Sequence, residues 1–151
     1  MSEFPDNKAI VLAIGNSGRQ DDGLGWAFAE ILEAKYPARR HTIHYRYQLQ
    51  VEDAELISRA EQVVFVDACK ARLPLGFAME DCEPSFEFSF STHALLPQTI
   101  LAICLDLYGL APKAWVLKIE GLEWGLQTGL SETGKMNLQA ALAYWAINCA
   151  T

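Results

Sequence analysis

The sequence has few basic residues and no cluster of them. Its 151 residues include 12 Lys and Arg against 19 Asp and Glu, a net charge of −7. Proteins bind nucleic acid through clustered Lys and Arg side chains, so we expect no nucleic-acid partner. No apolar run reaches the roughly 18 residues of a membrane span, and residues 1–6 contain no basic segment leading into an apolar one. We therefore expect a soluble, intracellular protein without a membrane partner.

The sequence also lacks the closely spaced cysteine pairs of structural zinc sites. Its four cysteines lie at positions 69, 82, 104 and 149, and no CxxC pair occurs. Cys104 and Cys149 fall among apolar residues in helical patterns, which predicts buried free thiols. The phosphate-binding patterns GxGxxG and GxxxxGK[ST] are absent as well.

Strand-like and helix-like segments alternate along the sequence. The length predicts one domain, 1–151, and a chain of this length can bury its own hydrophobic core. Short apolar or alternating runs predict strands at 9–14, 43–49, 63–66 and 114–119, and the irregular segment 72–90 could form a hairpin. Amphipathic spacing predicts helices at 24–36, 51–60 and 97–108, and a terminal helix capped by Ser131, with two apolar stripes that indicate burial on two faces. This order predicts an α/β fold, a three-layer α/β/α sandwich with a mostly parallel, twisted sheet.

The carboxyl ends of parallel strands share one edge, where ligands bind. Asp22 follows the first strand, Asp67 ends the third, and His93 precedes the helix that starts near Pro97. Two carboxylates and an imidazole can hold a divalent metal ion. The positive end of a helix would keep Asp22 ionised and His93 neutral, the forms that bind metal.

Each of these residues also has a purely structural interpretation. Asp22 would be the N-cap of the first helix, Asp67 a turn former and His93 a polar loop residue. Two other sites remain open: a nucleophilic pair of Cys69 with His93, and a phosphate cradle in the loop 15–23. The neighbouring carboxylates Asp21 and Asp22 speak against an anion there.

Several short motifs together resemble the hydrogenase maturation endopeptidases. The main one is segment 12–25, with Gly15-Asn16, four variable residues, then Asp21-Asp22-Gly23. Others follow in order at 64–68, at Ser91-Thr92-His93, at Tyr108-Gly109 with Pro112, and at 129–131. The resemblance covers nearly the whole chain. One motif differs: many members carry an Asp-Gly-Gly turn where this chain has Gln48-Leu49-Gln50, and Gln50 would then supply a neutral hydrogen-bonding group.

The resemblance implies a compact α/β/α protease with a phosphorylase/hydrolase-like fold. Its activity would be the removal of a C-terminal extension from the precursor of a [NiFe]-hydrogenase large subunit after nickel insertion. Carried over by motif, Asp22, Asp67 and His93 would be both catalytic and metal-contacting residues, and the nickel would be carried by the substrate. The precursor would be the main partner, and the protein a cytoplasmic monomer or weak oligomer. A nucleotide- or flavin-binding module and an inactive escort of the precursor are the alternatives.

Overall fold

The computed structural model describes residues 3–87 and 95–149. Within these residues the strands are β1 (Ile10–Ile14), β2 (Ile43–Arg46), β3 (Gln62–Cys69), β4 (Phe77–Cys82) and β5 (Lys113–Glu120), and they form one sheet in the order β2-β1-β3-β5-β4. The pairs β1–β2, β1–β3 and β3–β5 are parallel, while β4 runs antiparallel to β5. The sheet is therefore mostly parallel, as predicted.

The main helices are α1 (Leu24–Lys35), α2 (Glu52–Ser58), α3 (Pro97–Tyr108) and α4 (Glu132–Asn148). α1 and α4 pack against one face of the sheet, in a core that includes Val64 and Val66 of β3. α2 and α3 cover the other face, against Val63 and Phe65 of the same strand. Because β1 and β3 are buried on both faces, their sequences are almost continuously apolar. This arrangement confirms the three-layer sandwich.

Several helix boundaries agree with the sequence patterns. Pro97 is the first residue of α3, where its missing N–H costs no hydrogen bond. The same helix ends before Gly109, whose φ of 77° is a conformation that favours glycine. Ser131 caps α4, since its Oγ accepts a hydrogen bond from the Gly134 N–H at 2.9 Å. Cys104 and Cys149 are buried free thiols, as predicted.

Three strand predictions need correction. β3 does not end at Asp67 but continues to Cys69, because β5 is long enough to pair with it there, Asp67 opposite Lys118. β2 ends at Arg46, and Leu49 forms an isolated bridge with Leu95. In the described part of segment 72–90, β4 pairs with β5 and makes no hairpin of its own.

The expectation that α4 is buried on two faces was wrong. The stripe of Leu138, Leu142, Trp145 and Cys149 is buried. The other stripe reaches the surface, with 72% of Met136 and 82% of Ile147 exposed. The reason is that α4 lies in an outer layer and contacts the sheet with one face only. Among the described residues no helix is both long and apolar enough to cross a membrane.

Candidate active site

The segment that carries Asp22 lies directly over the carboxyl ends of β1 and β3. After β1 the chain forms 3-10 turns over Ser17–Gly23 and then enters α1. The first turn of α1 approaches the sheet so closely that a Cβ atom on Gly25 would lie 2.6 Å from the Ile14 carbonyl oxygen and 2.7 Å from that of Val66. Glycine at position 25 is what permits this approach, and it holds the loop at the sheet edge.

Most backbone amides of the loop 15–23 are already paired within the protein. The Gly15 N–H donates to the Arg46 carbonyl at 2.9 Å, and the Asn16 N–H donates to the Asp22 carbonyl at 3.1 Å. The Gly18 N–H donates to Oδ1 of Asn16 at 2.9 Å. A phosphate cradle needs free amides that point at the ligand. The geometry of the loop therefore argues against the nucleotide-binding alternative.

Asp22 is half-buried and does not cap a helix. The N-cap of α1 is Gly23, and no side chain makes a capping hydrogen bond there, so the N-cap interpretation of Asp22 was wrong. Burial raises the pKa of Asp22, while the Asn16 N–H and the charges of Arg19 and Lys70 oppose that rise. The direction is opposite to the one expected from the helix terminus, because loss of solvation outweighs the favourable charges.

Asp67 lies inside β3 rather than in a turn, so its interpretation as a turn former was also wrong. Burial and, to a smaller extent, the charge of Asp22 raise the pKa of Asp67 to about 7, although a hydrogen bond from the Ala68 N–H lowers it. The Oδ1 atom of Asp67 accepts that bond at 2.8 Å. The two carboxylates thus lie close enough to influence each other, although 45 residues separate them in the sequence.

Asp21, the residue before Asp22, has a different role that the sequence did not reveal. It is 0% exposed, and its carboxylate accepts four hydrogen bonds. Oδ2 accepts from the N–H groups of Leu122 and Glu123, at 2.7 and 3.1 Å, and from the Ser131 hydroxyl at 2.6 Å, while Oδ1 accepts from the Ser131 N–H at 2.8 Å. Burial would raise the pKa of Asp21, but these bonds outweigh it and lower the pKa.

A cleft of about 400 Å³ opens beside Asp67, between the sheet and the start of α3. Its lining includes Leu96 and Lys118, and Lys118 Nζ lies 2.7 Å from Oε1 of Glu80. An extended peptide segment would have room here, next to a carboxylate with a raised pKa. Such a combination is typical of a functional site.

Two other candidate residues, Cys69 and Gln50, take part in local hydrogen bonds. Cys69 shares a face of β3 with Asp67, and its thiol accepts a hydrogen bond from the Ala71 N–H at 3.3 Å. The Gln50 N–H donates to Oδ2 of Asp53 at 2.8 Å, so this residue helps to start α2. Its predicted role in substrate positioning stays a prediction.

His93 lies outside the described residues, as does the whole Ser91-Thr92-His93 motif. The meeting of Asp22, Asp67 and His93 and the Cys69–His93 pair both stay predictions for that reason. Within residues 3–87 and 95–149, no group of three or more His, Cys, Asp and Glu side chains is placed to hold a metal ion.

Comparison with known proteins gives matches among solved structures. No family model and no curated protein matches the chain. The [NiFe] hydrogenase maturation protease HycI from Thermococcus kodakarensis KOD1 is similar with a TM-score of 0.67 and 21% identity, over 93% of this chain and 89% of that one. The hydrogenase maturating endopeptidase HybD from E. coli has a TM-score of 0.67 at 16% identity, over 93% and 90% of the two chains.

This chain has the fold of these maturation proteases. The same fold occurs in an uncharacterised protein from Wolinella succinogenes, with a TM-score of 0.61 and 22% identity over 91% of this chain and 93% of that one. At such identities the likeness establishes the architecture. Function has to be argued from the site itself.

Proposed function

We propose that this chain is an endopeptidase that removes a C-terminal extension from the precursor of a [NiFe]-hydrogenase large subunit after nickel insertion. The observation that carries the proposal is the pair of carboxylates at the sheet edge. Asp22 lies in the loop after β1 and Asp67 near the carboxyl end of β3; each has a raised pKa, and the charge of Asp22 raises the pKa of Asp67. The shared fold of the maturation proteases supports the same reaction class.

Two carboxylates in one half-buried place repel each other, and part of this repulsion is relieved by protonation of Asp67. A divalent cation between them would relieve it better, because each carboxylate would then face a double positive charge. Cation binding would therefore displace the proton from Asp67. A pair of carboxylates with this property would bind a substrate that carries a metal ion more tightly than one that does not.

His93 would complete the set as a neutral imidazole ligand. Leu95, two residues after His93 in the sequence, pairs with Leu49 beyond the carboxyl end of β2. α3 then starts at Pro97, beside the cleft that Asp67 lines. These neighbours support a role for His93 at the same edge of the sheet.

The nickel is part of the substrate in this scheme. As a Lewis acid it would bring a water molecule to the scissile peptide carbonyl. The water oxygen bonds to the carbonyl carbon, the C–N bond breaks, and the leaving nitrogen takes up a proton. Asp22, Asp67 and His93 would hold the nickel-loaded centre in place and orient that water. A precursor without nickel would offer these side chains nothing to bind.

The direct test is incubation of the purified precursor, loaded with nickel, with the purified protein. Mass spectrometry should show loss of the C-terminal peptide, and nickel-free precursor should stay intact. His93→Ala should abolish the cleavage while the circular dichroism spectrum stays unchanged. His41→Ala, a substitution of an exposed histidine, serves as the control and should cleave normally.

Each alternative function has its own outcome in this experiment. Binding of the precursor without mass loss would identify an inactive escort. Full cleavage by the His93→Ala variant would remove His93 from the mechanism. Purification of the protein with a bound flavin or nucleotide would favour the binding module instead.

A further inference from the structure

We propose that Asp21 is a positioning residue that holds Asp22 in place and joins the Asp22 loop to the loop 121–130. The proposal rests on the function proposed above, in which Asp22 contacts the metal of the substrate. Asp21 itself does not face the cleft, because its carboxylate is completely buried. It would act only through its neighbour.

The first argument is the number of long-range contacts that converge on Asp21. Its carboxylate accepts hydrogen bonds from three residues more than 100 positions away, Leu122, Glu123 and Ser131. Its backbone N–H donates to the carbonyl of Glu123 at 2.9 Å. Side chain and backbone are thus both fixed to the segment between β5 and α4, which leaves Asp21 little freedom to move.

The second argument is that Asp22 is held from the opposite side. Its carbonyl accepts the hydrogen bond from the Asn16 N–H at 3.1 Å, at the end of β1. A Cβ atom on Gly15, whose φ is 148°, would lie 2.0 Å from the same oxygen. Because consecutive Cα atoms are about 3.8 Å apart, a shift of Asp21 would be passed directly to Asp22 and would break this contact.

The third argument is the conformation of Gln20. Its φ of 50° and ψ of −118° lie in a region that non-glycine residues rarely adopt. Two contacts to the same loop hold it there: the Gln20 N–H donates to the Gln127 carbonyl at 2.9 Å, and its Oε1 accepts from the Gly125 N–H at 2.8 Å. Strain of this kind persists where the surrounding structure needs a residue in one position, and it occurs preferentially at functional sites.

The chemistry of the carboxylate suggests the substitution that tests the proposal. In all four hydrogen bonds of the Asp21 carboxylate, the carboxylate oxygens are the acceptors. In Asp21→Asn, an NH₂ group replaces one oxygen and faces a donor, although the size of the side chain hardly changes. The loop should then shift without loss of the core. Ser131→Ala, which removes the hydroxyl donor to Asp21 and also the N-cap bond from the Gly134 N–H, is the second variant if Asp21→Asn does not fold.

The first measurement does not depend on activity. Amide hydrogen exchange of Asn16 reports the contact that holds Asp22, and exchange of Val64 in the buried sheet reports global opening. In Asp21→Asn we expect Asn16 to exchange at least tenfold faster relative to Val64 than in the unsubstituted protein. Ile57→Ala, a substitution in the core on the α2 side, is the matched destabilised control and should not raise this ratio, because lower global stability does not speed local opening more than global opening. An unchanged ratio in Asp21→Asn would overturn the proposal.

The second measurement is cleavage of the nickel-loaded precursor, at a temperature where circular dichroism shows every variant to be folded. Misplacement of a catalytic group by about 1 Å costs about 10²-fold in rate, so kcat/KM of Asp21→Asn should fall by that order. Ile57→Ala should cleave with normal kcat/KM, and normal kcat/KM in Asp21→Asn would also overturn the proposal. If the unsubstituted protein cleaves nothing, the proposed function fails, and the exchange ratio still decides the role of Asp21.

Discussion

The raised pKa of Asp67 predicts that its ionised form destabilises the folded protein. An unfolded Asp has a pKa near the ordinary value of 3.8, whereas burial, together with Asp22, raises that of folded Asp67 to about 7. Between these two values the folded state binds more protons than the unfolded state, so stability falls as the pH rises through this window. Asn has nearly the same shape as neutral Asp and escapes this loss. Asp67→Asn should therefore stabilise the protein above pH 7.

The magnitude follows from the same shift. About three pKa units at roughly 1.4 kcal/mol each give an upper limit of about 4 kcal/mol at pH 8. For a chain of this size that corresponds to an increase in Tm of roughly 5–15 °C. Well below the unfolded pKa of 3.8, Asp67 is neutral in both the folded and the unfolded state, and the two proteins should be equally stable. Asn still has an oxygen that accepts the hydrogen bond from the Ala68 N–H, so no other contact needs to change.

The assay is urea unfolding followed by circular dichroism at pH 4, 6 and 8. Asp106→Asn, an exposed substitution in α3, is the matched control and should show little difference at any of these pH values. A free-energy difference for Asp67→Asn that does not change between pH 4 and 8 would refute the reasoning. Equal or lower stability of the variant at pH 8 would refute it as well.

Two further predictions concern the packing around the site. Gly25→Ala should destabilise the protein by about 1–3 kcal/mol or more, because the added Cβ would clash with the carbonyl oxygens of Ile14 and Val66. Thermal unfolding measures this loss, and an unchanged Tm would contradict the close approach of α1 to the sheet. In α4, Leu142→Ala should cost about 2–5 kcal/mol and Met136→Ala no more than about 0.5 kcal/mol, since the first is buried and the second 72% exposed. Urea titration of both variants checks this, and similar losses would show that the two faces of α4 are equally buried.

Much of the fold could be predicted because its signals are local. The apolar runs of β1 and β3 reflect burial on both faces of a parallel sheet. Pro97 and Gly109 mark the ends of α3 through their own backbone preferences. The end of β3 could not be predicted in this way. Asp67 interrupts the apolar run, and the residues up to Cys69 remain in the strand because β5 pairs with them.

In the candidate site, too, local signals could be predicted and long-range contacts could not. Asp22 and Asp67 could be selected because both follow apolar runs whose carboxyl ends share a sheet edge. Which of the adjacent residues Asp21 and Asp22 is buried could not be inferred, because the partners that bury Asp21 lie more than 100 residues further along the chain. The effect of burial on the pKa of Asp22 could not be predicted for a related reason. The sequence pattern indicates where α1 begins, but it does not indicate how much solvent the Asp22 side chain loses on folding.

The most direct measurement of the central claim is the nickel-edge X-ray absorption spectrum of the nickel-loaded precursor, alone and in complex with this protein. If Asp22, Asp67 and His93 contact the nickel, the complex should show additional oxygen and nitrogen ligands at about 2.0–2.2 Å, the range known for such ligands of a similar divalent ion. Asp67→Ala should remove part of this added signal. Identical spectra for the free precursor and the complex would contradict the account.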